Sequence, residues 1–382
     1  MYAITEGLTQ VPSSPPYITT PHTPTYYFLH LPHPDIPTCV GTDEQILAEI
    51  ARRGLDIHHN VTQDLVKQSY RFEKTLGSGA SGDVYLVTHK KTGENFACKI
   101  IKKDGNMNDA ESMATEIEIM KRVRHGHIVT LYELFESASC MWLILELVDG
   151  GDLNYFIGGH KHYTEKVIAH HFRQILHGLH YLHSQGVVHR DIKLDNILIK
   201  GDHEYGEVKI ADFGLSALVQ MSNSGYDRTA SSKRKAFNGL QEVWGTASYF
   251  APELIDRNYG PQADMWSAGC ILYEMLSGEH PFDADDDDAL YALIQNARFT
   301  MEGKHWDGVS EEAKDLVKSI LVTDPMKRLS ATECLSHPFL DGNNQENDSH
   351  NSSVTESFEK ISKENEGSKG GLFSGWSLPK II

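Results

Sequence analysis

The most constraining feature of this sequence is the stretch from His189 to Gly214, in which two short apolar runs stand close together. The runs are Ile197–Ile199 and Val208–Ile210, and a polar segment separates them. Apolar runs of this length with a turn between them predict a β-hairpin.

Potential ligands lie at the ends of this predicted hairpin. Asp191 and Asn196 precede the first run, and Asp212 follows the second. Oxygen ligands beside a cationic Lys193 suit Mg²⁺ and phosphate chemistry. Each residue alone would be interpreted as a cap or a surface residue, so the combination is what indicates a site.

A glycine-rich segment lies upstream, where Gly77, Gly79 and Gly82 follow the pattern GxGxxGxV. Glycines let backbone N–H groups approach phosphate oxygens closely. A dinucleotide-binding fold would require a helix directly after the glycines. Residues 84–87 continue instead as a strand, which favours a flap over nucleotide phosphates.

The apolar strand predicted at Phe96–Ile101 contains one lysine, Lys99. Lysine is rarely buried without a partner. In the helix predicted at Glu111–Arg124, Glu116 falls on the mostly apolar face at helical spacing. We therefore expect Glu116 to pair with Lys99, and the alternative is a solvated surface acid.

Composition limits the class of protein. A net charge of -18 argues against nucleic-acid binding and permits a basic peptide substrate, although it could also serve solubility alone. No apolar run reaches the ~20 residues of a membrane span, so membrane insertion is not expected. The start of the chain lacks a secretory signal, and the five scattered cysteines indicate reduced thiols. We expect a monomer in the cytoplasm, the nucleus or both.

The chain divides into three parts by composition. Residues 1–69 form a Pro/Thr-rich arm, predicted to be largely disordered with a short helix at 43–53. Residues 70–340 form the folded part, with strands and one main helix in 70–148 and mostly helical patterns in 149–340. Residues 341–382 are a polar tail that we predict to be disordered.

This set of motifs resembles the eukaryotic protein kinases over residues 70–340. The residues that carry the resemblance are Gly77, Gly79, Gly82, Val84, Ala97–Lys99, Glu116, His189–Asp191, Lys193, Asn196, Asp212–Gly214, Ala251–Glu253, Asp264–Gly269 and Arg328. The position of Lys193, two residues after Asp191, resembles the serine/threonine branch. The local sequences of residues 96–101, 273–278 and 337–339 resemble the calcium/calmodulin-dependent-kinase-like group. The resemblance implies an α+β bilobal kinase fold, with a small antiparallel β-sheet lobe and a larger helical lobe.

The resemblance also implies ATP and Mg²⁺ as cofactors and assigns roles residue by residue. The implied catalytic residues are Asp191, Lys193, Asn196 and Thr246, and the implied metal ligands are Asn196 and Asp212. The implied nucleotide-binding residues are Leu76, Gly77, Ser78, Gly79, Ala80, Ser81, Gly82, Val84, Ala97, Lys99, Glu116, Glu146, Leu147, Asp152 and Asp212. Scaffold roles fall to Asp264, which supports the catalytic loop, and to a buried Glu253–Arg328 ion pair.

Substrate choice follows from three acids. Asp152, Asp195 and Glu274 match positions that bind arginine in basophilic relatives, which implies protein substrates with Arg three residues before Ser/Thr. Asp152 could also reach the ribose.

Regulation follows from the activation segment and the tail. We hypothesise that Glu242 pairs with Arg190 in place of a phosphate, the alternative being an unpaired surface acid. Ser231 fits an autophosphorylation motif. The tail is a poor calmodulin target because it is not a basic amphipathic helix, and docking of 373–376 into the kinase is the alternative to a disordered end.

Two other functions remain open at this point. The first is a kinase-fold scaffold, or pseudokinase, that acts by binding. Intact Lys99, Asp191, Asn196 and Asp212 argue against it. The second is a small-molecule kinase, which the complete Ala251–Glu253 motif disfavours.

Overall fold

The computed structural model describes residues 57–58, 63–79, 82–103, 107–159, 163–201, 205–219, 247–255 and 259–341. The predicted helix at 43–53, the loop at 220–246 and the tail beyond Asp341 lie outside the described residues.

The N-terminal lobe is built on a twisted sheet with one long helix. Its elements are β1 (Ile57–His58), α1 (Gln63–Ser69), β2 (Tyr70–Gly79), β3 (Gly82–His89), β4 (Asn95–Lys102), α2 (Met107–Arg122), β5 (Leu131–Glu136) and β6 (Cys140–Leu145). The sheet order is β1-β5-β6-β4-β3-β2. Every pairing is antiparallel except β1 with β5, which is parallel.

The C-terminal lobe is mostly helical. Its elements are α3 (Leu153–Gly159), α4 (Glu165–Ser184), β7 (Val187–Val188), β8 (Ile197–Lys200), β9 (Glu207–Ile210), β10 (Ala217–Leu218), α5 (Pro252–Ile255), α6 (Gln262–Ser277), α7 (Asp287–Gln295), α8 (Glu311–Ile320) and α9 (Ala331–Leu335). Strands β8 and β9 pair antiparallel from Ile197 opposite Ile210, so the predicted hairpin is confirmed. The predicted α+β architecture, with a small sheet lobe and a larger helical lobe, is confirmed as well.

Helices α4 and α6 of this lobe differ in how much of their surface is buried. Helix α4 is amphipathic and buries one face, and Thr164 caps its N-terminus by accepting from the amide of Val167. All sixteen residues of α6 are buried, so this helix forms the centre of the lobe. Polar side chains on α6 therefore require internal partners.

The sheet lobe includes two elements that precede Tyr70. The sequence assigned everything before Tyr70 to the arm, whereas β1 and α1 belong to the sheet lobe. Val66 on α1 is fully buried with Tyr70, Phe96 and Trp142. Seven residues with one buried apolar side chain carry too little periodicity to be recognised in the sequence.

The ion pair between Glu253 and Arg328, which the resemblance implied, holds the C-terminal lobe together. The guanidinium binds both carboxylate oxygens, at 2.6 and 3.0 Å. It also donates to the carbonyls of Gln262 and Val322 and lies 5.0 Å from the Trp266 ring centre. Arg328 is 1% exposed, so every donor is satisfied inside the protein.

We predict that Arg328→Ala lowers the free energy of unfolding by about 3–5 kcal/mol, because it leaves the Glu253 carboxylate buried without a counter-charge. Urea unfolding of both proteins measures the difference. The matched control is Lys327→Ala, whose side chain is 77% exposed and pairs with Asp324 at the surface. An Arg328 variant as stable as the Lys327 variant would contradict the assignment.

Candidate active site

Three charged side chains from different elements meet at the cleft between the lobes. Nζ of Lys99 on β4 lies 2.9 Å from Oε1 of Glu116 on α2 and 3.0 Å from Oδ1 of Asp212. Lys99 and Glu116 are each 6% exposed. The predicted pairing is therefore confirmed, and Glu116 is not a solvated surface acid.

These contacts favour the charged forms of Lys99 and Asp212. Burial alone would lower the pKa of the Lys99 ammonium, but Glu116 and Asp212 raise it above its usual value. Burial alone would raise the pKa of Asp212, but the Lys99 ammonium lowers it to about 2. At neutral pH Lys99 is thus a cation and Asp212 an anion.

The predicted catalytic residues of the loop before β8 converge on one carboxylate. Lys193 Nζ donates to Oδ2 of Asp191 at 2.8 Å. Asn196 Nδ2 donates to the same oxygen and to the carbonyl oxygen of Asp191, both at 2.8 Å. A 3₁₀ turn at Leu194–Asn196 brings the amide back to Asp191.

Asp264 on α6 binds the backbone of the loop that carries Asp191, as the resemblance implied. Its carboxylate accepts from the amides of His189 at 2.9 Å and Arg190 at 2.8 Å, and from Nε2 of His183 at 2.8 Å. Arg190 has a φ of 69°, which is costly for a residue with a side chain. The hydrogen bond to Asp264 helps to hold the loop in that conformation.

The Arg190 side chain contacts neutral groups in the described part of the chain. Its guanidinium donates to the carbonyls of Leu215 and Ser216 and to the hydroxyl of Tyr259. Glu242, its hypothesised partner, lies outside the described residues. The same is true of Thr246 and of the candidate phosphorylation site Ser231.

The glycine-rich segment lies where β2 ends and β3 begins, with Gly79 opposite Gly82. Gly82 has a φ of +123°, and a Cβ there would lie 2.4 Å from the carbonyl oxygen of Ile100. Only glycine fits this position. Ser78 donates to Asp83 at 2.6 Å across the turn, while Ala80 and Ser81 lie outside the described residues.

Apolar side chains line the cleft beside the glycines. Leu76, Val84, Ala97 and Leu145 are buried in a core that continues into the other lobe, and Leu147 packs against it partly buried. These residues can enclose a flat apolar group.

The side chain of Glu146 is committed to the protein. Its Oε1 lies 2.7 Å from Nζ of Lys200 and 3.1 Å from Nζ of Lys209. The backbone N–H of Glu146 is paired as well, because it donates to the carbonyl of Thr130 at 2.8 Å. The sequence analysis missed Lys209, although a lone lysine in an apolar strand is the signal that identified Lys99.

The three acids that are expected to bind a substrate arginine lie in different surroundings. Asp152 is buried, and its Oδ1 caps α3 by accepting from the amide of Tyr155 at 2.8 Å. Asp195 is half-buried in the 3₁₀ turn. Glu274 is buried on α6 beside Tyr249 and His280.

Asn196 and Asp212 are the candidate metal ligands. Across the ranges that the structure describes, no cluster of three or more His, Cys, Asp or Glu side chains could hold a metal by itself. Mg²⁺ does not require one, because it uses one or two carboxylates together with waters and phosphate oxygens. Asn196 uses its Nδ2 on Asp191, which leaves Oδ1 for a cation, and Asp212 supplies the carboxylate. These residues fit a bound Mg²⁺.

In the described portion of the chain, no helix has the length and apolar character needed to cross a bilayer.

Residues 70–340 of this chain are similar to known protein kinases. The protein kinase domain model matches residues 70–340. Calcium-dependent protein kinase 1 of Oryza sativa subsp. japonica is 38% identical over 278 residues, which cover 72% of this chain and 51% of that protein. Myosin light chain kinase A of Dictyostelium discoideum is 37% identical over 284 residues, covering 74% of this chain and 91% of that protein. Calcium-dependent protein kinase 8 of Arabidopsis thaliana is 39% identical over 274 residues, which cover 71% of this chain and 49% of that protein.

The chain thus spans about half the length of the calcium-dependent kinases and most of the myosin light chain kinase. These relatives confirm the resemblance to the calcium/calmodulin-dependent-kinase-like group. Because the family model covers more than half of the chain, the chain belongs to the protein kinase family, and residues 70–340 are a kinase domain of the serine/threonine class.

Proposed function

We propose that the whole protein is an ATP-dependent serine/threonine kinase, which transfers the γ-phosphate of Mg-ATP to hydroxyl groups of protein substrates. The observation that carries this proposal is the meeting of Lys99, Glu116 and Asp212 at the cleft, close to the Asp191 loop. Phosphoryl transfer needs positioning and neutralisation of phosphate charge. A buried cation, a carboxylate that can bind the metal and a carboxylate that can accept the hydroxyl proton provide those elements.

The nucleotide would bind in the cleft between the lobes. Lys99 would contact the α- and β-phosphates, and Glu116 would keep the ammonium oriented. Backbone amides of the glycine-rich turn at 77–82 would cover the phosphates. The adenine would lie against Leu76, Val84 and Ala97 and meet the backbone of 146–147.

Mg²⁺ would be held by Asp212 and by Oδ1 of Asn196, where it would offset charge on the phosphates. The low pKa of Asp212 keeps its carboxylate ionised across the neutral range, as a metal ligand requires.

The acceptor hydroxyl would approach Asp191. Lys193 and Asn196 both donate to Oδ2 of this carboxylate, so Oδ1 remains to accept the proton of a Ser or Thr. Lys193 would also offset charge on the transferred phosphate. Thr246 is proposed to steady this loop on sequence grounds alone.

The alternative is a kinase-fold scaffold that acts by binding. The intact arrangement of the three charges and of the Asp191 loop favours a catalyst, because such scaffolds often lack one of these residues.

We predict that Asp191→Asn reduces phosphate transfer to a serine peptide by about 10²–10⁴-fold, because it removes the base but keeps an acceptor for Lys193 and Asn196. Transfer of labelled γ-phosphate measures this, and binding of ATP should survive. Asp307→Asn, an exposed acid on the same lobe, is the control. A wild-type protein that binds ATP but transfers no phosphate to Ser or Thr would support the scaffold instead.

A second prediction concerns the metal. Mg²⁺ should strengthen ADP binding to the wild-type protein, and Asp212→Asn should abolish that gain because it removes the ligand carboxylate. Calorimetric titration with ADP, with and without Mg²⁺, measures both affinities. If Mg²⁺ still strengthens binding to the Asp212 variant as much as in the wild type, this carboxylate is not the ligand.

The proposed substrates carry arginine three residues before the target hydroxyl. The buried carboxylate of Asp152 supports this preference, since a guanidinium is a strong partner for a carboxylate. The acidic surface of the protein, with a net charge of -18, would favour basic substrates in the same direction.

Asp152→Asn separates charge from structure, because asparagine can also cap α3. We expect it to raise the KM for the arginine peptide by about tenfold or more, the cost of losing a hydrogen bond to a charged group. The KM for a peptide with alanine at that position should stay unchanged. Asp149→Asn, three residues earlier and exposed, is the control. Equal KM values for both peptides in the wild type would refute the arginine preference.

A further inference from the structure

A histidine and a buried carboxylate face each other near the catalytic loop. Glu274, which is 5% exposed, lies in the last turn of α6. Its Oε2 accepts from the hydroxyl of Tyr249 at 2.8 Å. Its Oε1 lies 2.9 Å from Nδ1 of His280.

The turn after α6 brings His280 to this place. Gly278 ends the helix with a φ of 77°, and His280 follows two residues later. The His280 ring then stands edge-on to the ring of Tyr249, with centroids 5.5 Å apart. The imidazole is 27% exposed, whereas the Glu274 side chain is 7% exposed, so the imidazole is the partner that faces water.

The contact between them is close, and it is an ion pair only while His280 carries its second proton. Within the described residues, Oε1 of Glu274 and Nδ1 of His280 have no hydrogen-bond partner of acceptable geometry. A buried acceptor oxygen without a hydrogen bond is uncommon and favours binding of a better-placed donor. A guanidinium offers such donors in a planar fork.

The pair belongs to the same face as the catalytic loop. The charge of Asp195, between Lys193 and Asn196, acts on Tyr249, Glu274 and His280 alike. Tyr249 lines a small cavity together with Asp191. Glu274 is therefore close to where an acceptor peptide would lie.

We propose that His280 is a specificity-determining residue that occupies the arginine-binding carboxylate of Glu274, so that a substrate arginine binds there only by displacing the imidazole. This inference rests on the proposed arginine preference. Protonated His280 would weaken the binding of arginine at Glu274. Arginine binding there would strengthen when His280 loses that proton.

The charges around His280 determine the direction of the pH effect. Burial alone would lower the pKa of His280, but Glu274 raises it, aided by Asp283 and Asp195, and the net shift is upward. Burial raises the pKa of Glu274, against the lowering effect of His280 and Tyr249. The imidazole therefore keeps its proton to a higher pH than a free histidine. Above that pH the charge of Glu274 has no cationic partner in the pair, and arginine binding should strengthen.

The experiment compares peptides that carry one arginine at successive positions before the target serine with a peptide that has none. The measured quantity is the ratio of KM without arginine to KM with arginine, taken between pH 6 and pH 8.5. In the wild type, the ratio for one position should rise with pH. In His280→Ala that ratio should already be high at pH 6, by about fivefold over the wild type, and should not change with pH.

Three further variants keep the test independent of folding. Glu274→Gln should lose the ratio at that position, and adding His280→Ala to it should have no further effect. His305→Ala is the matched control, because His305 is similarly exposed and pairs with Glu279 on the surface. Thermal unfolding checks that each variant is folded.

The outcomes separate the two proposals. If the wild type prefers arginine but the ratio is the same in His280→Ala at every pH, the role of His280 is wrong and the arginine preference stands. If neither protein prefers arginine at any position, the proposed substrate class is wrong, and the role of His280 falls with it.

Discussion

One ammonium group between two carboxylates links the parts of this protein that must act together. Lys99 is fixed on the central strand of the small lobe, Glu116 on its helix and Asp212 on the loop that follows β9. Each charge would be unfavourable in this buried place without the others. The position of α2 and the conformation of the Asp212 loop therefore depend on the same contact, and so does the shape of the cleft.

The large lobe depends on a second feature, a fully buried helix that carries acids. Helix α6 is apolar enough to form the centre of the large lobe, yet it contains Asp264 and Glu274. Asp264 binds the backbone of the catalytic loop, while Glu274 meets Tyr249 and His280. Because α6 cannot move without disrupting the core, both acids are held in fixed positions relative to Asp191.

Much of the fold and part of the site could be predicted because their signals are local or periodic. The β8–β9 hairpin, the buried face of α4 and the pairing of Lys99 with Glu116 all follow from spacing and from the rarity of buried lysine. The β1 and α1 extension was not predictable, since its stabilisation comes from contacts that Val66 makes with strands far along the chain. The capping role of Asp152 was missed because its sequence context also fits a ligand contact.

The sequence by itself determined the family, the residues that can carry the chemistry and the order in which they occur. Tertiary structure decided which of their atoms are available. The carboxylate of Glu146 binds Lys200 and Lys209. Lys193 binds only one carboxylate oxygen of Asp191, and Glu274 lies beside His280, six residues later in the chain. The physical reason is that a buried polar group must find a partner, and which partner it finds depends on the packing of distant elements rather than on its neighbours in the chain.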